Sequence, residues 1–120
     1  MRRKQSILTI YHGTDIKGAN LILRSGELRG DPPLFGPAVC TRLTRAMSFA
    51  VHKCGRRVRR VGRVIELTVE HSLIKAAAPD TTPDTYTLDA MTALHLDDSR
   101  VINVRVLTPR QWDRMNQAAR

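Results

Sequence analysis

Two stretches of alternating hydropathy constrain this chain most. In Val61–Glu70, Ile65, Leu67 and Val69 share one side of an extended backbone, and Glu66, Thr68 and Glu70 share the other. A period of two marks a half-buried strand, because successive side chains leave a pleated backbone in opposite directions. Val101–Leu107 repeats the pattern, with Ile102, Val104 and Val106 expected inward. A third strand is expected at Ser6–Tyr11, an apolar run that ends at a turn signal, and a short fourth at Ala38–Thr41.

Between the strands the period changes to that of a helix. Thr14 or Asp15 can cap a helix that starts near Ile16, carries Ala19, Ile22 and Leu23, and stops before Gly26. Thr44 is the expected cap of a second helix. Ala46, Phe49 and Ala50 lie on one of its faces, and Gly55 is its stop. Gly30–Pro37 and Pro79–Thr85 read as loops on composition, Arg56–Arg60 reads as a basic loop, and Thr87–His95 as a short helix or turn. Thr108 and Pro109 suit the cap and first turn of a closing helix whose Trp112 and Met115 are expected in the core. The tally predicts a single α+β domain over residues 1–120, built on a small, mostly antiparallel sheet with flanking helices.

At 120 residues the chain fits one small domain and is too short for a cleft between two. Charged residues make up 26% and apolar ones 42%, a globular mix rather than a disordered one. No apolar run approaches the roughly 20 residues of a membrane span. Met1-Arg2-Arg3-Lys4 opens like a signal peptide, but the apolar run Ile7 to Tyr11 is too short for one, so a cytoplasmic protein with no membrane partner is expected. Cys40 and Cys54 do not make a disulfide framework. With His52 they lack a Cys-x-x-Cys pair and an obvious fourth ligand, so no metal is expected.

Charge separates the two halves. Residues 1–63 hold fourteen basic and three acidic residues, against six and eight in residues 64–120, within a net charge of +9. Arg56, Arg57, Arg59, Arg60 and Arg63 are the densest cluster. Guanidinium groups grip phosphates and carboxylates bidentately, so the expected partner is a protein or nucleic acid with an anionic surface. With five aromatics in all, specific base stacking is not expected.

Tyr11-His12-Gly13-Thr14 stands at an expected strand-to-helix junction, where backbone N–H groups can meet an anion. Gly13 would admit a ligand close to the backbone, and His12 can bind a hydroxyl or exchange a proton. These four residues, followed by Ala19, Ile22 and Gly26, resemble the first block of the ADP-ribosyltransferase superfamily, in its poly(ADP-ribose)-polymerase and RNA 2′-phosphotransferase branch. Pro37-Ala38-Val39-Cys40-Thr41 followed by Ala46–Ala50 resembles the second block, and Gly62–Glu70 the strand after it. The resemblance spans about residues 8–70.

The resemblance implies a split-sheet cleft that binds NAD as substrate. His12 would hold a ribose hydroxyl, and the Gly13 backbone would pair with the nicotinamide carboxamide. Thr14 would shape the turn, and Val39 and Thr41 would stand on the cleft wall. Nicotinamide would leave through an oxocarbenium-like transition state. Two positions depart from the family pattern. Val39 stands where an aromatic would stack on nicotinamide, and no glutamate follows Ser72, which leaves Asp89 nearest the expected catalytic acid. Two functions follow from this. One is NAD-dependent ADP-ribosyl transfer to a protein or nucleic acid, with His12 and Asp89 as catalytic residues. The other is a catalytically inactive relative, an inhibitor or adaptor of the kind a phage or mobile element encodes, which engages an acidic partner through the basic half.

Overall fold

The computed structural model describes residues 6–29, 37–75, 78–79, 85–87 and 93–118. It is an α+β fold with flanking helices on a mostly antiparallel sheet. Strand β1 (Ile7–Asp15) leads into α1 (Ile16–Ser25), then β2 (Glu27–Arg29) and β3 (Ala38–Cys40). Helix α2 (Leu43–Cys54) continues through a 3-10 turn (Gly55–Arg57) into the short α3 (Val58–Val61) and strand β4 (Gly62–Glu70). After α4 (Ser72–Lys75) come β5 (Ala78–Pro79), β6 (Thr85–Thr87), β7 (Ala93–His95), β8 (Val101–Leu107) and α5 (Pro109–Ala118). Six strands form one sheet in the order β5-β6-β3-β1-β4-β8, and β2 pairs β7 in a second.

The two alternating stretches expected from sequence lie side by side. β4 occupies an inner position, paired with β1 from Ile7↔Glu70 to Asp15↔Gly62 and with β8 on its other edge. Ile65, Leu67 and Val69 are buried as expected, and so is Val64, which points the other way. The sheet therefore has cores on both faces. On one, Ile10, Val39, Ile65, Leu67 and Val69 pack with Ala19 and Ile22 of α1 and with Leu28, Leu73 and Leu94. On the other, Cys40 and Val64 pack with Ala46 and Ala50 of α2 and with Leu107 and Trp112.

The helix ends follow their sequence signals in part. Asp15 caps α1, its Oδ1 accepting from the Gly18 N–H at 2.7 Å. Gly26 closes α1 with φ 72°, a left-handed conformation that costs glycine little. Gly55 ends α2 with φ 59°. Thr108 caps α5 by accepting from the Gln111 N–H at 3.3 Å. Thr44 does not cap α2. Arg42 is the cap residue, its side chain making no capping hydrogen bond to the first turn, and Thr44 lies inside that turn.

Four further expectations change. The strand over Ser6–Tyr11 runs on to Asp15, because β4 supplies partners for the whole length. The basic loop is helical, since α3 packs beside α5 and Arg59 reaches Asp113 at 2.8 Å. Of the stretch Thr87–His95, expected as a short helix or turn, Thr87 ends β6 and Ala93–His95 form strand β7, drawn out by its pairing with β2. Ile102 faces solvent at 54% exposure. A register shift pairs Thr68 with Asn103 and Val69 with Val101, which leaves Ile102 as the extra residue of a bulge. Val101, Val104 and Val106 take the inward positions instead.

Candidate functional site

His12 sits where β1 and β3 part. The two strands share one paired position, Tyr11↔Cys40. One residue further along β1, the ring of His12 takes over from the ladder, with Nδ1 2.9 Å from the Ala38 carbonyl oxygen. A carbonyl only accepts, so Nδ1 carries the proton, and in the neutral ring Nε2 is then an acceptor. The side chain thus bridges two strands that its own backbone no longer joins.

A cavity of about 330 Å³ opens at this parting. It is lined by His12 and Gly13 of β1, Ala38 and Cys40 of β3, and Phe49, His52 and Lys53 of α2. A neighbouring hollow of about 260 Å³, lined by Arg45, Ser48, Phe49 and His52, shares two of those walls. The two lie along α2 and together form a two-lobed groove with Phe49 and His52 at its waist. Lining residues from α2 stand at positions 49, 52 and 53, one helical face by the i, i+3, i+4 rule. Phe49 was expected on the buried face with Ala46 and Ala50, yet it is 36% exposed because it forms this wall. That spacing was the signal in the sequence for His52 and Lys53 as well, which no motif marked.

Gly13 is fixed by packing. A Cβ there would overlap the Ala46 carbonyl oxygen and come within 2.9 Å of the Ala50 nitrogen. The close approach that requires glycine is therefore that of α2 to β1. Thr14 is buried at 1% exposure. Its Oγ1 accepts from Lys53 Nζ at 3.3 Å, and its carbonyl oxygen lies 3.9 Å from Cys54 Sγ. This lysine contact ties the cavity wall to the buried hydroxyl. Burial raises the Cys54 thiol pKa, as does Asp15, against the lowering influence of Lys53, Arg57 and Arg63.

The strand-to-helix junction does not form the anion site expected of it. Asp15 places its own carboxylate on the first turn of α1 and accepts from the Gly18 N–H there. A negative group already satisfies that terminus and would repel a phosphate.

The remaining expected residues scatter. Val39 is fully buried in the α1-side core. Thr41 is half-buried at the bend between β3 and α2. Asp89 lies outside the described residues. Arg56 and Arg57 stand on the 3-10 turn, and Arg59 and Arg60 on α3. Arg63 is on β4, where its Nη1 donates to the Gly62 carbonyl oxygen at 2.7 Å. The described residues include no cluster of three His, Cys, Asp or Glu able to hold a metal ion. No helix among them is long and apolar enough to cross a membrane.

Compared with family models, curated proteins and solved structures, the chain matches none.

Proposed function

We propose that the groove between β1, β3 and α2 binds NAD and that the protein is an ADP-ribosyltransferase-like enzyme. The observation that carries this reading is the position of His12. It bridges the parting of β1 and β3 at the mouth of a cavity, with Nδ1 committed to Ala38. In this reading the imidazole holds a ribose hydroxyl at the strand parting. The chemistry of the walls fits a dinucleotide. Lys53 and Arg45 supply positive charge for a pyrophosphate, Phe49 supplies an aromatic surface, and two lobes suit two nucleoside halves. Phe49 offers from α2 the ring that Val39, buried in the core, does not offer from β3. At about 330 Å³ the larger lobe falls at the small end of ligand pockets, enough for one half of the molecule.

Calorimetry with NAD tests this. Saturable heat in the native protein, lost in His12→Ala with the fold retained, is the expected result. No heat at millimolar NAD overturns it.

One observation favours a second reading, a catalytically inactive relative that binds without turnover. The described residues on the cavity wall include no carboxylate to steady an oxocarbenium-like centre. Release of nicotinamide from NAD separates the two. Release that falls in Asp89→Ala supports transfer, and binding without release supports the inactive form.

A further inference from the structure

We propose that the surface formed by the 3-10 turn and α3, with the C-terminal end of α2, binds the phosphate backbone of duplex nucleic acid without reading its sequence. No acidic residue lies between Asp31 and Glu66, and eight basic residues fall between Arg42 and Arg63. Folding keeps this imbalance together, because α2, the turn, α3 and the start of β4 follow one another without a break.

The cations on this surface divide by what holds them. Arg59 is paired with Asp113, which anchors α3 to α5, and Arg63 is turned onto its own backbone. Arg56, Arg57 and Arg60 are exposed and make no ion pair with any described residue. Lys53 stands beside them, spending one of its three donors on Thr14.

Unpaired guanidinium groups of one sign repel one another, and a polyanion relieves that repulsion by releasing its own counterions. A protein partner would need an apolar anchor at the centre of the contact. From position 52 to 63 no large hydrophobic residue is exposed, and Val51 at the α2 border is the single exposed aliphatic beside this surface among the described residues. The same lack argues against insertion into a lipid surface. A single strand would need stacking platforms, and residues 53–63 carry no aromatic; Phe49, one turn back on α2, lines the groove instead. Phosphates on a duplex need only the charge.

The test is fluorescence anisotropy with a labelled mixed-sequence DNA duplex, in the absence of NAD, at 50, 100 and 200 mM salt. It is therefore independent of whether the groove binds NAD. With four cations engaged, log Kd is expected to rise with log salt at a slope of about 3.6, a loss of about 10²-fold across this range. Arg56→Ala/Arg57→Ala/Arg60→Ala should lower the slope by about 2.7. Lys17→Ala/Arg24→Ala/Arg29→Ala removes the same charge from α1 and β2 and should leave the slope nearly unchanged. An equal loss in both triple variants overturns the proposal, since net charge alone would then explain binding. So does no binding at 50 mM salt. Polyglutamate, a single strand, or vesicles of phosphatidylserine and phosphatidylcholine binding more tightly than the duplex would each overturn it too. A duplex RNA of the same sequence should bind comparably.

Discussion

On the α1 side of the sheet, Ile10, Ile65, Leu67 and Val69 meet Ile22, Leu28, Leu73 and Leu94. On the α2 side, Gly13 and Val64 meet Ala46 and Ala50, with Leu107 and Trp112 beyond. The first face fills its space with branched aliphatic side chains. The second brings a helix against a strand by leaving side chains out. This difference bears on the proposed function, because α2 supplies three walls of the candidate groove. A helix held that close carries Phe49, His52 and Lys53 to the edge of β1, where His12 stands. Bulk on the α2 face would lift these three away from the histidine.

The comparison breaks most visibly on the bulky face. Leu67 is fully buried among the aliphatic side chains of an inner strand. Leu67→Ala should cost about 2–5 kcal/mol, from lost transfer energy plus the cavity left behind. Urea unfolding should show a lower midpoint with an unchanged slope. NAD binding below the transition should survive, because no cavity wall moves.

On the close-packed face the opposite change does the damage. Gly13→Ala adds one methyl group, and that methyl meets the backbone of Ala46 and Ala50. Backbone cannot rotate away as a side chain can. The cost should reach the upper part of the ~1–3 kcal/mol seen for overpacking. Unlike Leu67→Ala, it should also weaken NAD binding, measured by the same calorimetry. Equal effects of the two variants on binding would mean that α2 does not set the width of the groove. Gly62 sharpens the point. A Cβ there would come within 2.6 Å of the Val58 carbonyl oxygen and 3.0 Å of the Trp112 ring. Close approach therefore recurs where α3 and α5 pack on the sheet.

Much of the fold was legible because its signals are local. Asp15, Gly26, Gly55 and Thr108 act within a few residues of themselves, and so their helix ends could be read in order. The alternation in β4 was legible for the same reason. What was not legible depends on partners far along the chain. Three-residue strands such as β2 and β7 have no period to detect, and they exist because Glu27 pairs with His95 across the fold. At Gly13 a glycine was expected to admit a ligand, whereas α2, more than thirty residues later, explains it. The candidate site shared this split. His12 stood out by its neighbours, while Phe49, His52 and Lys53 join it only when α2 folds back.

Away from both faces, the turn before β8 offers a smaller test. Asp98 accepts from the Arg100 side chain at 2.9 and 3.1 Å and from its N–H at 2.8 Å. Hydrogen bonds from that side chain, then from its backbone, bring the Asp98 carboxyl down from 3.8 to about 2. A carboxyl lowered in the folded state stabilises it when ionised. The contribution is therefore full above about pH 4 and is lost as pH falls toward 2. Solvent screens this partly exposed pair, so the difference should stay below about 1 kcal/mol. Asp98→Asn should flatten the pH dependence of unfolding in that window and leave both cores unaffected.

The smallest effect belongs to Ile102, and it tests whether the bulge or the alternation governs β8. If the strand kept strict alternation, Ile102 would share a face with Val104 and Val106 and join the α1-side core. Ile102→Thr would then bury a hydroxyl and cost several kcal/mol. With the register shift at Thr68 and Val69, that place goes to Val101 and Ile102 turns to water. The substitution should change stability by no more than about 0.5 kcal/mol, as at other surface sites. Val104→Thr, two residues along and packed against the core, should cost clearly more under the same urea titration. Equal costs would mean that the bulge does not persist in solution and that β8 pairs with β4 in the unshifted register.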